Sequence, residues 1–396
     1  MQYQFDKIID RKNTNSVKWE PNVLKTMFGD EEMLPMWVAD MDFKCPDPVV
    51  EALVKRAEHG IYGYADIDES YYEAIVDWNA RRNNWQLDKS WIVFTPGVVP
   101  AVNYLVQTFC KTGDKVIIQN PVYYPFSMAI NNNGAGIVLN PLKEEAGDYV
   151  MDYEDLEAKV KDPRVRMLIL CSPHNPVGRV WRKEELERLG EICLANDVLV
   201  VADEIHSDLI MSGHQHTPFA SISESFANNS ITCVAPSKTF NLAGLQVSNI
   251  IIPNDKLRKE YQVTLENNAI RHPNTFGIVA LEAAYTKGEP WLEAVLAYIE
   301  GNMDFIKKFV DERLPGVTFK KPEGTYLAWL DFRGLNMDQS SLEKWMQRDL
   351  KLALDEGYIF GSGGEGFERI NAACPRSLIE EALGRIERGI KALNSK

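Results

Sequence analysis

Val234-Ala-Pro-Ser-Lys238-Thr-Phe-Asn-Leu-Ala-Gly244-Leu-Gln-Val-Ser-Asn249 is the stretch whose reading decides the fold. A strand-like run, Ile231 to Ala235, stops at Pro236, and Ser237-Lys238 follows at once. Small, turn-prone residues run to Gly244, and a second apolar run extends from Val247 to Ile252. The pattern predicts Lys238 in a tight turn between two buried strands. Burial strips water from an ammonium, lowers its pKa and prepares the free amine to form a Schiff base with an aldehyde. An isolated Ser-Lys pair is read more plainly as a surface loop. The company it keeps elsewhere in the chain decides between the two.

From Trp91 onward, apolar runs and helical patterns alternate. Strands are predicted at Trp91–Phe94, Lys115–Gln119, Gly136–Asn140, Arg166–Cys171, Val198–Ala202, Ile231–Ala235 and Val247–Ile252, with helices such as Val98–Lys111 and Lys183–Asn196 between them. Near-continuous apolar strands alternating with helices indicate an α/β fold with a mostly parallel seven-stranded sheet flanked by helices. Upstream, Pro48–Gly60 and Tyr71–Asn84 read as helices, and residues 1–47 as an irregular arm rich in Trp, Pro and Asp. Downstream, Asn274–Lys287 and Pro290–Leu314 read as long helices, followed by a smaller α+β unit. The expected division is an arm at 1–47 joining the small domain, a large domain at 48–289 and a small domain at 290–396.

The chain has 396 residues and a formal charge of −14, from 43 basic and 57 acidic side chains. That sign is wrong for a nucleic-acid or anionic-membrane surface. The N-terminus, from Met1 to Lys7, has no apolar stretch of a secretory signal, and no apolar run approaches the ~20 residues of a membrane span. Six scattered cysteines without paired spacing fit buried free thiols in a reducing cytoplasm.

Three further segments each carry two readings. Gly97-Val98-Val99 follows a strand and opens a helix, as an anion-binding turn for a phosphate or a plain strand-to-helix connection. Asp203-Glu204-Ile205-His206 closes a strand; its first acid suits a protonated ring nitrogen or a helix cap. Ser172-Pro-His-Asn-Pro-Val-Gly178 is a rigid turn able to present the Asn175 amide to a ligand.

In this order, and ending in Ser-Lys, these segments resemble the class I/II aminotransferase-like family of fold-type I pyridoxal 5′-phosphate enzymes, over nearly the whole chain. The resemblance implies that Lys238 holds the cofactor as a Schiff base and moves the proton in catalysis. It implies that Asp203 keeps the pyridine nitrogen protonated and that Gly97, Val98 and Val99, with Ser237, bind the phosphate end. Tyr123 matches the aromatic that stacks on the ring, Ile205 covers its other face, and Asn175 and His206 face the ring oxygen. Arg369 matches the arginine that clamps the substrate α-carboxylate, with Asn175 and Ala39 as further substrate contacts. Tyr64 matches a catalytic tyrosine reaching the partner's site in the family's homodimer, where active sites lie at the subunit interface. Arg376, after Cys374-Pro375, is expected to be structural.

Two departures stand out. His206 occupies the place of the family's usual tyrosine, and Gln246 that of a phosphate-binding arginine. With Leu34-Pro-Met-Trp-Val-Ala-Asp-Met-Asp-Phe43, His59-Gly-Ile-Tyr-Gly-Tyr64 and Thr95-Pro-Gly-Val-Val-Pro100, they resemble the cystathionine β-lyase-like C–S lyase branch, some of whose members also repress a maltose regulon. The implied reaction is β-elimination from a sulfur amino acid. Transamination is the alternative, and a lyase with an added protein-binding role a second one. Two other motifs are set aside. Gly361-Ser-Gly-Gly-Glu-Gly366 matches a dinucleotide fingerprint, but Phe367-Glu-Arg-Ile-Asn-Ala reads as a strand where that motif needs a helix. His214-Gln-His216 lacks further ligands at metal spacing and is read as a polar loop, so no metal is expected.

Overall fold

The computed structural model describes residues 3–145 and 147–395. Met1 and Gln2 of the expected arm, Ala146 and Lys396 lie outside the described residues. Seven strands build the main sheet: β1 (Ile92–Thr95), β2 (Lys115–Ile118), β3 (Gly136–Leu139), β4 (Val165–Cys171), β5 (Leu199–Asp203), β6 (Ser230–Val234) and β7 (Ser248–Ile251). Their spatial order is β1-β7-β6-β5-β4-β2-β3. β7 runs antiparallel to both its neighbours, and the remaining pairs are parallel. Every expected strand is present, its ends displaced by at most one residue.

The strands read as continuous apolar runs because both faces are covered. Val116, Ile118, Met167, Ile169, Val201, Ile231 and Cys233 pack into one helix layer. Ile117, Leu168, Leu170, Val200 and Ala202 pack into the other. Each such side chain withdrawn from water contributes about 1.5–3 kcal/mol, against the conformational entropy of ordering the chain. The expected helices appear at Asp47–His59, Glu69–Asn83, Val98–Phe109 (α1), Lys183–Ala195, Thr275–Lys287 and Glu289–Arg313 (α2). In α2, Trp291, Leu292, Val295, Ile299, Met303, Ile306 and Val310 are buried at helical spacing, which holds a 25-residue helix along the core.

The second sheet comprises β8 (Thr318–Phe319), β9 (Leu327–Asp331), β10 (Asp355–Glu356) and β11 (Phe367–Asn371), ordered β8-β9-β11-β10 and antiparallel throughout. Phe367–Asn371 is therefore a strand, and the glycine-rich segment before it leads into a sheet rather than a helix. The buried Asn302 of α2 donates to the carbonyls of Ala372 and Cys374, just beyond β11, and accepts from Arg376 Nε at 2.7 Å.

The arm is more ordered than its composition suggests. Pro21–Phe28 is an α-helix: proline opens it, Leu24 is buried, and Gly29 at φ 85° closes it by donating to the Lys25 carbonyl. Its single buried residue is too weak an apolar stripe to register as a periodic pattern. Leu34–Pro35 pairs in parallel with Leu352–Ala353. The following segment is fastened at two points. Asn241 accepts from Met41 N–H and donates to the carbonyls of Met41 and Phe43. Asn371, at the end of β11, donates to the carbonyls of Val38 and Asp40. No helix among the described residues is long and apolar enough to cross a membrane.

Asn241→Ala removes three hydrogen bonds that nothing else in the segment replaces, so a loss of about 2–3 kcal/mol is expected. Urea unfolding of the purified variant measures it; a change below about 0.5 kcal/mol would show that Asn241 is not one of the points that hold the arm.

Candidate active site

The carboxyl ends of β1, β4, β5 and β6 lie along one edge of the main sheet, where α/β folds gather ligand groups. Register places Cys171, Asp203 and Cys233 side by side across β4, β5 and β6. The chain leaving each strand delivers Gly97, Asn175, Ile205 and Lys238 to a single cleft of about 790 Å³, open to solvent. Ala39, Val98, Val99, Tyr123, Asp203, His206, Ser237 and Gln246 complete its walls.

Lys238 sits in a one-turn helix, Pro236–Thr239, rather than the simple turn expected. The proline starts that turn, where its missing N–H leaves no bond unmade. The Lys238 ammonium donates to the Ala39 carbonyl at 2.6 Å. Burial brings its pKa down to about 8; Arg369 pushes the same way, while Asp40 and Asp203 oppose it. A lysine so placed holds a substantial fraction of free amine near neutral pH, which Schiff-base chemistry requires.

Asp203 is buried at the end of β5 and accepts one hydrogen bond, from Ile205 N–H at 3.1 Å. It forms no ion pair among the described residues. Burial raises its pKa to about 7. An uncompensated carboxylate facing a cavity fits a ligand that brings a cationic N–H donor. At the opposite wall, α1 begins at Gly97 with no side-chain cap, and the Val98 and Val99 N–H groups take no partner among the described residues. A Cβ on Gly97 would stand 3.3 Å from the Pro100 ring, so glycine keeps this cradle open. Free amides at the N-terminus of a 12-residue helix suit a phosphate. A lysine, an unpaired acid and a phosphate cradle around one cleft match pyridoxal phosphate group by group.

The other expected residues fall into three sets. Tyr123, Ile205, Ser237 and His206 line the cleft. Burial pushes the His206 pKa down to about 3, helped by Lys238 and Arg369, so its imidazole is neutral, with a buried Nδ1 that finds no partner. Asn175 also lines the cleft, and its Oδ1 accepts from Arg369 Nη1 at 3.0 Å. Arg369 itself is buried behind Asn175, its guanidinium engaged by the Trp37 carbonyl and the Asp355 carboxylate. Ala39 lines the cleft, and its carbonyl accepts from Lys238. Tyr64 is fully exposed on the loop before Glu69–Asn83 and lies outside this cleft. Gln246 stands in the wall, in the left-handed conformation at φ 51°.

One expectation changes. The His214-Gln-His216 segment is not wholly a polar loop. His216 is buried and its Nε2 meets Glu204 Oε2 at 2.9 Å, behind the strand end that carries Asp203; His214 is exposed. No group of three or more metal-ligating side chains occurs among the described residues. Arg376 points to Asn302 and packs over Phe305, away from the cleft, as a helix-start residue. Two participants escaped the sequence reading. Tyr326 donates to the Ala39 carbonyl at 2.8 Å, and Asp355 pairs with Arg369 across β10 and β11. Neither lies in a recognisable motif; the two acids of Leu354-Asp-Glu-Gly357 were the available sign for Asp355.

The aminotransferase class I and II family model matches residues 31–386. The chain belongs to that family. Within the family it is 47% identical over 383 residues to cystathionine beta-lyase PatB of Bacillus subtilis, covering 97% of this chain and 98% of that protein. It is 32% identical to protein MalY of Escherichia coli, covering 99% and 100% respectively. Cystalysin from Treponema denticola, whose crystal structure contains pyridoxal 5′-phosphate, superposes with a TM-score of 0.96 at 42% identity, covering 99% of this chain and all of that one. These relatives are the C–S lyase branch that the sequence resembles, and the fold is that of fold-type I pyridoxal-phosphate enzymes.

The Asp203 shift has a sign that can be measured in cofactor-free protein. The folded state raises this pKa from 3.8 to about 7, so between these values the native state binds more protons than the unfolded chain. Stability therefore falls as pH rises across that window, by up to roughly 4 kcal/mol from this group. Asp203→Asn should gain stability relative to the native sequence as pH moves from 4 to 8. A constant difference across that range would refute an uncompensated acid.

Proposed function

We propose that the protein is a pyridoxal-phosphate-dependent C–S β-lyase that cleaves cystathionine- and cysteine-type amino acids to pyruvate, ammonia and a thiol. The observation that carries this reading is the Asp203 carboxylate, without an ion-pair partner among the described residues, in one cleft with Lys238, in a chain related end to end to a cystathionine beta-lyase. When bound, pyridoxal phosphate supplies an electron-withdrawing ring that stabilises negative charge at the substrate Cα.

The chain's own groups divide the remaining work. The Val98 and Val99 N–H groups and Ser237 hold the phosphate, without the arginine that Gln246 replaces. Tyr123 and Ile205 form walls for the ring, Asn175 and neutral His206 face its oxygen, and Asp203 keeps a proton on its nitrogen. Lys238 anchors the cofactor and, with a pKa near neutrality, takes the Cα proton at Nζ. The Ala39 carbonyl fixes the direction of that amine. Arg369 with Asn175 receives the α-carboxylate. The thiol leaves Cβ carrying a proton, and water then hydrolyses the released 2-aminoacrylate, through its imine, to pyruvate and ammonia.

Tyr64 is assigned to the partner's cleft in a homodimer, which its full exposure supports. The six unpaired cysteines support a cytoplasmic setting. We assign residues 1–47 to an arm joining the small domain, 48–289 to the large domain and 290–396 to the small one.

β-Elimination needs no second substrate, whereas transamination stops until a keto acid arrives. Cystathionine supplied alone should give sustained release of pyruvate, ammonia and thiol in constant ratio. Turnover that halts at one equivalent per site and resumes on adding 2-oxoglutarate would make this an aminotransferase. Borohydride treatment of the loaded protein should fix pyridoxal phosphate to the peptide containing Lys238. Label on any other lysine would end that assignment.

A further inference from the structure

Arg369 commits three of its five N–H donors before any substrate arrives. Nη2 donates both to the Trp37 carbonyl at 2.9 Å and to Asp355, Nη1 donates to Asn175 at 3.0 Å, and Nε is buried with no partner among the described residues. The guanidinium packs 5.0 Å over the Phe360 ring, and it is not among the groups lining the cleft. Asp355 reaches it because β10 and β11 place the two residues directly opposite in the antiparallel ladder. Both side chains are more than nine-tenths buried.

A buried guanidinium without a carboxylate is a strong anion site, because its charge has lost water and gained nothing in return. Asp355 supplies that carboxylate from within the chain. We propose that Asp355 is an internal competitor for the substrate α-carboxylate at Arg369, and thereby sets how tightly this enzyme binds amino acids. An incoming carboxylate has to take Arg369 donors that Asp355 now holds, or share the guanidinium with a second negative charge. Asp355 acts through Arg369 as a positioning residue and touches neither cofactor nor reacting atoms. Burial holds the Asp355 carboxyl above its usual range even beside the arginine. The pair is therefore poorly compensated for its loss of water, and an exchange of carboxylates is feasible.

The inference rests on the reading of Arg369 as the carboxylate-binding residue, and the two are separable by experiment. Asp355→Asn keeps shape and an acceptor oxygen but removes the charge. In the loaded enzyme it should lower KM for cystathionine at least fivefold, with the change in KM rather than kcat. Butanoate, which carries the carboxylate but no amine to react, should bind at least fivefold tighter by calorimetry. Weaker or unchanged butanoate binding in Asp355→Asn overturns the competitor role and leaves Asp355 a support for the guanidinium. Arg369→Ala should weaken butanoate at least tenfold; if it does not, the carboxylate site lies elsewhere and the reading of Arg369 falls with it. Retained absorbance of the bound cofactor in both variants shows that the fold and the cleft have survived.

Discussion

Two donors converge on one oxygen, the carbonyl of Ala39. Lys238 approaches it from the main sheet, and Tyr326 from the segment leading into β9. That carbonyl belongs to an arm segment held on one side by Asn241 and on the other by Asn371. The orientation of the Lys238 ammonium is thus set by a piece of chain that belongs to neither sheet. Main-sheet residues line the cleft, Arg369 of the second sheet stands behind it, and the arm is the part both sheets grip.

The charges in and behind the cleft share one cause, burial, with opposite results for acids and bases. It lifts Asp203, lowers Lys238 and lowers His206. Asp203 lacks a cation and awaits one, whereas Arg369 has an anion and must exchange it. Stored electrostatic imbalance of this kind costs folding stability and is returned when ligands complete the site. A neutral His206 adds no charge to either balance, so it leaves the Lys238 ammonium less disfavoured than an imidazolium would.

Much of this was legible in the chain. Strands buried on both faces spell themselves out as apolar runs, and the motifs at their carboxyl ends mark the site because those ends share one edge. That Lys238, Asp203, Gly97 and Asn175 meet in one cleft was readable for that reason. What escaped depends on register or on distance. The Asp355–Arg369 pairing exists only once β10 and β11 are aligned, and Tyr326 meets Ala39 across 287 positions of sequence. The Pro21–Phe28 helix has one buried side chain, too little for periodicity to reveal. His216 was misjudged because a polar segment gave no hint that Glu204 would be buried with it.

The Asn302 contacts make α2 and the strand bearing Arg369 a single lever. One side chain in the middle of the helix grips the backbone just past β11 at Ala372 and Cys374, and holds the Arg376 side chain as well. A helix of 25 residues extends roughly 37 Å at 1.5 Å per residue, so a small tilt at its far end displaces the strand through this pivot. The phosphate cradle stands on α1 and does not ride on that lever. Changes along the buried stripe of α2 therefore reach the strand bearing Arg369, and because Trp291 of that stripe packs on Phe240 they reach the Lys238 turn as well, so one helix couples both ends of the cleft.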